Sequence, residues 1–161
     1  MRFTTTTTIA ALAAMTPLAS AVGSAIVINQ CDFPVYLWSV GGSVGEMQTL
    51  VAKDGGYSEL MHTDESSGGI ALKITLAEDG LYTGSPQTVF AYALGNQGRV
   101  AYDLSDVFGD PFAGHTLHVS PSEDTCNSIC WNGGISASYV SNTESCTQDA
   151  DVTLTLCADS C

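Results

Sequence analysis

Nowhere in this chain is there a long run of apolar residues at the 3.6-residue spacing a core helix requires, and that constrains the fold more than any other feature of the sequence. What recurs instead is a short alternating run ended by glycine, aspartate or proline, the pattern of strands joined by tight turns. The clearest case is the stretch 88–121, TVFAYALGNQGRVAYDLSDVFGDPFAGHTLHVSP. Val89, Ala91 and Ala93 alternate with Phe90, Tyr92 and Leu94; residues 95–98 turn the chain, and Val100 to Leu104 returns as the second arm of a hairpin. A third strand follows at His115 to Ser120. Asp103, Asp106 and Asp110 fall in the connection leading to it, punctuated by Gly109, Pro111 and Gly114, so three carboxylates are expected within one loop.

The rest of the chain reads in the same way. β-branched and aromatic runs at Ala25 to Asn29 and Val35 to Val40 flank a turn at Asp32, Phe33 and Pro34. Met47 to Val51 leads through the KDGG segment Lys53 to Gly56, read as a hairpin turn, into Tyr57 to Met61. Residues 62–69 read as a solvent loop. In Ile70 to Leu76, Ala71 and Lys73 share one side of the pleat. After Pro121 the composition shifts to Cys, Asn, Ser and Gly, with a short strand expected at Ile135 to Val140 and a closing strand at Val152 to Leu156. About ten short strands in one domain point to an all-β sandwich or barrel.

The first residues read differently. Arg2, a threonine run, the apolar segment Ile9 to Leu18 and the small residues Ala19 and Ala21 form the pattern of a secretory signal, residues 1–21, cleaved before Val22. The apolar segment is too short and too rich in Ala and Thr to read as a membrane anchor. Without it the mature domain, 22–161, loses one base and no acid, leaving 17 acids against Lys53, Lys73 and Arg99 and a formal charge of −14. Phosphate-rich partners need Lys and Arg to neutralise them, so nucleic acid and anionic membrane are excluded as partners, and a soluble monomer is expected. All six cysteines, Cys31, Cys126, Cys130, Cys146, Cys157 and Cys161, follow the cleavage point, as three disulfides formed on an oxidising route require. Neither their spacing nor that of His62, His115 and His118 suits a metal centre, so no metal and no cofactor is expected.

These motifs resemble, in their order, the thaumatin-like proteins. A strand, a glycine turn, AYDLSDVFGDPF and HVSP match the centre of that family, AIVINQCDFPVYLWS its opening strand with the first cysteine, and DVTLTLC its closing strand. The short, acid-rich chain is most similar to small secreted fungal proteins of the Bys1 type, described as antigenic or yeast-phase-specific thaumatin-like proteins. The resemblance selects the sandwich over the barrel and leaves no room for the second, disulfide-rich domain of larger members.

It also implies a disulfide set. In the family the first-strand cysteine bonds the one ending the last strand, which gives Cys31 with Cys157; the same carry-over gives Cys126 with Cys146. Cys130 matches a family cysteine whose partner lies in the missing domain, and it is paired with Cys161. Larger members carry an acidic cleft tied in some to binding or cleaving β-1,3-glucan. Its aspartate matches Asp103, but its glutamate falls at Ala91 and its second aspartate at Phe108. Glycoside hydrolysis takes two carboxyl groups across a groove, so a non-enzymatic protein is implied.

The function this suggests is that of a secreted protein in the medium or associated with the cell wall, at the fungal surface or host interface, that binds wall β-glucan or a host protein. For polysaccharide binding, Tyr36, Trp38 and Tyr57 would form an aromatic row beside Asp103, with Asp106 and Asp110 near it. The alternatives are a weak β-1,3-glucan hydrolase; an inhibitor or effector using the Cys126 to Cys146 loop; and, for the three aspartates, turn chemistry or a weak calcium site.

Overall fold

The computed structural model describes residues 21–135 and 143–161. The expected strand at Ile135 to Val140 lies, but for its first residue, outside them, as do the signal residues 1–20. Among the described residues the chain forms two sheets packed face to face, one domain of the β-sandwich class.

The first sheet runs β4 (Gly55–Leu60), β1 (Ser24–Asn29), β11 (Val152–Leu156), β8 (Leu117–Pro121), β9 (Ile129–Trp131). The second runs β10 (Glu144–Thr147), β7 (Arg99–Val107), β6 (Gln87–Leu94), β5 (Ile70–Thr75), β2 (Val35–Val40), β3 (Gln48–Leu50). Strand alternation puts Val27, Leu154 and Val119 of the first sheet against Leu37, Leu72 and Phe90 of the second, all buried in one core. A single helical turn, α1 (Gly80–Thr83), lies between β5 and β6.

β1 and β11 pair in parallel at the middle of the first sheet, Asn29 opposite Leu156. Parallel strands end on the same side, so the residues that follow them are neighbours. The Cys31–Cys157 disulfide joins them there, with Cα atoms 5.0 Å apart at a sequence separation of 126. Cys126–Cys146 ties the approach to β9 to the edge strand β10 of the other sheet, and Cys130–Cys161 holds the C-terminal tail to β9.

Three expectations need correction. The KDGG segment is not a hairpin turn: β3 pairs with β2 and β4 with β1, so the chain crosses from one sheet to the other. The crossing is tight enough that a Cβ on Gly55 would lie 2.5 Å from the backbone of Leu50 and Val51, and Lys53 takes a φ of 69°. β7 runs on past Leu104 to Val107, which removes Asp103 and Asp106 from the loop where they were expected. β9 and β10 are short strands in the Cys- and Asn-rich segment, where no alternation marks them.

Asn29 organises the first turn. It is fully buried, its amide nitrogen donating to the carbonyls of Phe33, Leu50 and Val51 at 3.0–3.1 Å while its side-chain oxygen accepts from the Cys31 amide. One side chain thus joins the β1–β2 turn to the end of β3 and supplies partners for carbonyls that burial would otherwise orphan.

Candidate functional site

The outer face of the six-stranded sheet, turned away from the core, carries a groove of about 620 Å³. Its floor is made of small side chains. Val40, Ala71, Ala91 and Asp103 are successive register partners across β2, β5, β6 and β7, and Ala93 and Ala101 form the next outward pair. The rim is Gly41 and residues 67–69. The floor is low because alanine is the outward residue at four of its positions on β5, β6 and β7, Ala71, Ala91, Ala93 and Ala101, with Asp103 beside them.

Asp64 sets the rim. Its Oδ1 accepts the amides of Ser66 and Ser67 at 3.0 and 2.8 Å and the Ser67 hydroxyl at 2.8 Å. These donors, with the Gly42 backbone, hold its carboxyl down at about 2, the bonds to Ser67 and Gly42 acting most strongly. Gly41 and Gly42 are packed against this loop, since a Cβ on either would come within 2.9 Å of it. Sequence reading placed 62–69 as a solvent loop and missed Asp64; the D-x-S-S pattern of an Asx turn was the available signal.

The three aspartates are not one cluster. Asp103 faces outward into the groove, opposite Ala91. Asp106, three residues on, has the parity of Leu104 and points inward, where the Thr88 hydroxyl donates to it at 2.6 Å. Asp110 lies beyond the strand, accepting the amide of Phe112 at 2.9 Å and that of Ile135 at 3.0 Å. A calcium site built from all three is ruled out by this separation across the sheet.

The aromatic row is not formed either. Trp38 is outward but only 2% exposed, covered by Tyr82 of α1 with ring centroids 6.3 Å apart at 82°. Tyr57 faces inward and donates to Glu59 Oε2 at 2.5 Å, while Tyr36 lies half-buried on β2, away from the groove lining. Among the described residues no aromatic floor is therefore offered beside Asp103.

Tyr57 belongs to a different constellation. Glu59, on the edge strand β4, accepts from Tyr57 and, at 2.6 Å, from Tyr92 of the opposite sheet; His62 Nδ1 lies 3.3 Å from the Tyr92 hydroxyl. Burial first, then the Glu59 carboxylate, pushes the Tyr57 hydroxyl up to about 12 and that of Tyr92 still higher. One carboxylate thus pins the two sheets together at their rim.

Residues 12–158 match the family described as Blastomyces yeast-phase-specific protein, Bys1. The chain is 33% identical over 162 residues to the antigenic thaumatin-like protein of Arthroderma benhamiae, covering 93% of this chain and 80% of that one. It is 32% identical over 145 residues to the secreted thaumatin-like protein calA of Emericella nidulans, covering 83% and 81%. Among solved structures it is similar to the protein elicitor MoHrip2 from Magnaporthe oryzae, with a TM-score of 0.70 and 25% identity over 84% of this chain and 99% of that one. A family match across nearly the whole described sandwich, with two relatives above 30% identity over about four-fifths of their length, makes this chain a member of the Bys1 family of fungal thaumatin-like proteins.

Proposed function

We propose that this is a secreted, non-enzymatic binding protein that acts in the medium or at the cell wall through the outer-sheet groove. The observation that carries it is the pairing of Asp103 with Ala91. Among the described lining residues Asp103 is the one carboxylate, and the position facing it offers a methyl group. A glycosidase needs a second carboxyl about 5 to 10 Å from the first to serve as its acid, base or nucleophile. A groove with one charge and an apolar floor can bind a ligand; it lacks the pair that would cleave a glycosidic bond. The secreted and antigenic thaumatin-like relatives support an extracellular place of action.

The ligand proposed first is an extended wall polysaccharide lying along the floor, its hydroxyls directed at Asp103 and the rim. Pull-down of the purified protein on insoluble β-1,3-glucan, chitin and mannan tests it, with Ala91→Trp, which fills the groove from an outward position, as the control. Retention on one polymer that Ala91→Trp abolishes supports the proposal. Equal retention of both proteins moves the site elsewhere.

A second ligand class, a host protein, is favoured by the alanine floor, whose described residues offer no aromatic ring for a sugar to stack on, and by the similarity to a protein named as an elicitor. Loss of a host-tissue response in Ala91→Trp, with no retention on any polymer, would select it.

A further inference from the structure

On the inner face of the same two strands, toward their other end, lies a carboxyl pair that the groove does not use. Asp106 Oδ1 takes the Thr88 hydroxyl, but Asp106 Oδ2 is buried with no hydrogen-bond partner among the described residues. Its near neighbour is Asp110, close enough to act on it both as a charge and as a hydrogen-bond partner. Two carboxylates are both acceptors, and no bond forms between them until one carries a proton. Asp110 is committed as the anion, since each of its oxygens receives a backbone N–H, from Phe112 and from Ile135. The missing donor at Asp106 Oδ2 is thus a proton of its own.

We propose that protonated Asp106 donates to Asp110 and so forms an acid-closed latch, which fastens the connection 108–114 to β6 and β7 and opens when Asp106 ionises. The connection is one that needs fastening. Phe108 is 69% exposed and held at a φ of 64°, a left-handed conformation that a bulky side chain adopts at a cost. Asp110 then links it to the Ile135 amide, so opening loosens both the Phe108 turn and that hydrogen bond.

Among the described residues no cation offsets the pair. Lys73 lies in register with Trp38 and Val89 on the outer face, Arg99 is at the far end of β7 bonded to Ser145, and Lys53 is in the β3–β4 crossing. His115, the residue after that connection, is turned edge-on to Phe33 with centroids 5.5 Å apart. The groups acting on Asp106 are Thr88, which favours its anion, and Asp110, which opposes it; burial opposes it most, and the carboxyl is pushed up to about 6. Stability from the latch is accordingly full below the ordinary aspartate range, near 4, and is lost as pH rises through about 6.

The test is an NMR titration of the Asp106 side-chain carbon together with hydrogen exchange at the Phe112 and Ile135 amides, measured at about pH 5 and about pH 7.5 and corrected for intrinsic exchange. The expected result is a midpoint near 6, with protection of both amides falling several-fold at the higher pH. In Asp106→Asn the amide group donates to Asp110 at any pH, so protection stays constant. In Asp110→Asn the like charge is gone, and the Asp106 midpoint falls toward the ordinary range. A midpoint already in that range in the native protein, equal loss of protection in Asp106→Asn, or a midpoint unmoved by Asp110→Asn each overturns the latch.

Discussion

Ala91 stands directly opposite Asp103 across β6 and β7, both turned outward into one groove. Side chains so placed have Cβ atoms about 5 Å apart, so an acid at position 91 would face Asp103 at the separation a retaining glycosidase uses. The geometry for a carboxylate pair is present, and the second carboxylate is not.

Purified protein is therefore expected to release no reducing sugar from a β-1,3-glucan such as laminarin. Turnover that disappears in Asp103→Asn would overturn this and return the groove to the enzymes.

The disulfides make a second prediction. Non-reducing peptide mapping should find Cys31 with Cys157, Cys126 with Cys146, and Cys130 with Cys161, the set implied by the family resemblance and the set closed in the structure. Replacing both Cys31 and Cys157 by Ser should cost roughly 2–5 kcal/mol, because the released loop is the longest in the chain and the unfolded state gains most from its opening. Denaturant unfolding of the double variant measures this; a change under about 0.5 kcal/mol would contradict it.

Asn29→Ala removes donors from three carbonyls and the acceptor for the Cys31 amide, all at a buried turn. A loss of about 2–3 kcal/mol is expected, from groups left buried without partners. Asn29→Asp keeps the shape and the acceptor while losing every donor, and should be at least as damaging near neutral pH. Thermal melts of the two variants against the native protein check the order.

At the rim, Tyr92→Phe should cost about 1.5 kcal/mol, the range for a hydrogen bond to a charged group. The pH dependence has a definite sign. Tyr57 has its folded value raised from 10.0 to about 12, so the stability it lends is full below pH 10 and is lost as pH climbs through 12; Tyr92 shifts the same way. Alkaline unfolding should thus accompany ionisation of these two hydroxyls. Phenolate absorbance that rises fully while near-UV dichroism is unchanged would show that the Glu59 constellation does not hold the sheets.

Local pattern by itself determined most of the strands. Alternation in 88–94, 70–76 and 152–156 and the glycine turn at 95–98 act over a few residues, and a pleated strand needs nothing more distant to declare which face is apolar. Family resemblance, carried by the motif order, supplied the sandwich, the disulfide set and the identity of Ala91 as the replaced acid. Tertiary structure decided which sheet each strand joins. Gly55 carries the chain between sheets because the backbone of residues 50 and 51 passes too close for a side chain, a contact no local pattern encodes. It decided the faces of the acids as well. Ser105 and Asp106 have low strand propensity and read as loop, but pairing with Val89 and Thr88 extends β7, and strand parity then sends Asp103 to the groove and Asp106 to the interior. Tyr82 of α1 covers the Trp38 ring that polysaccharide binding would have used, and Asn29, read as the end of a strand, becomes a hub only where burial gives its amide three carbonyls. Each of these depends on segments distant in sequence meeting in the fold, and burial, parity and charge take their values only where they meet.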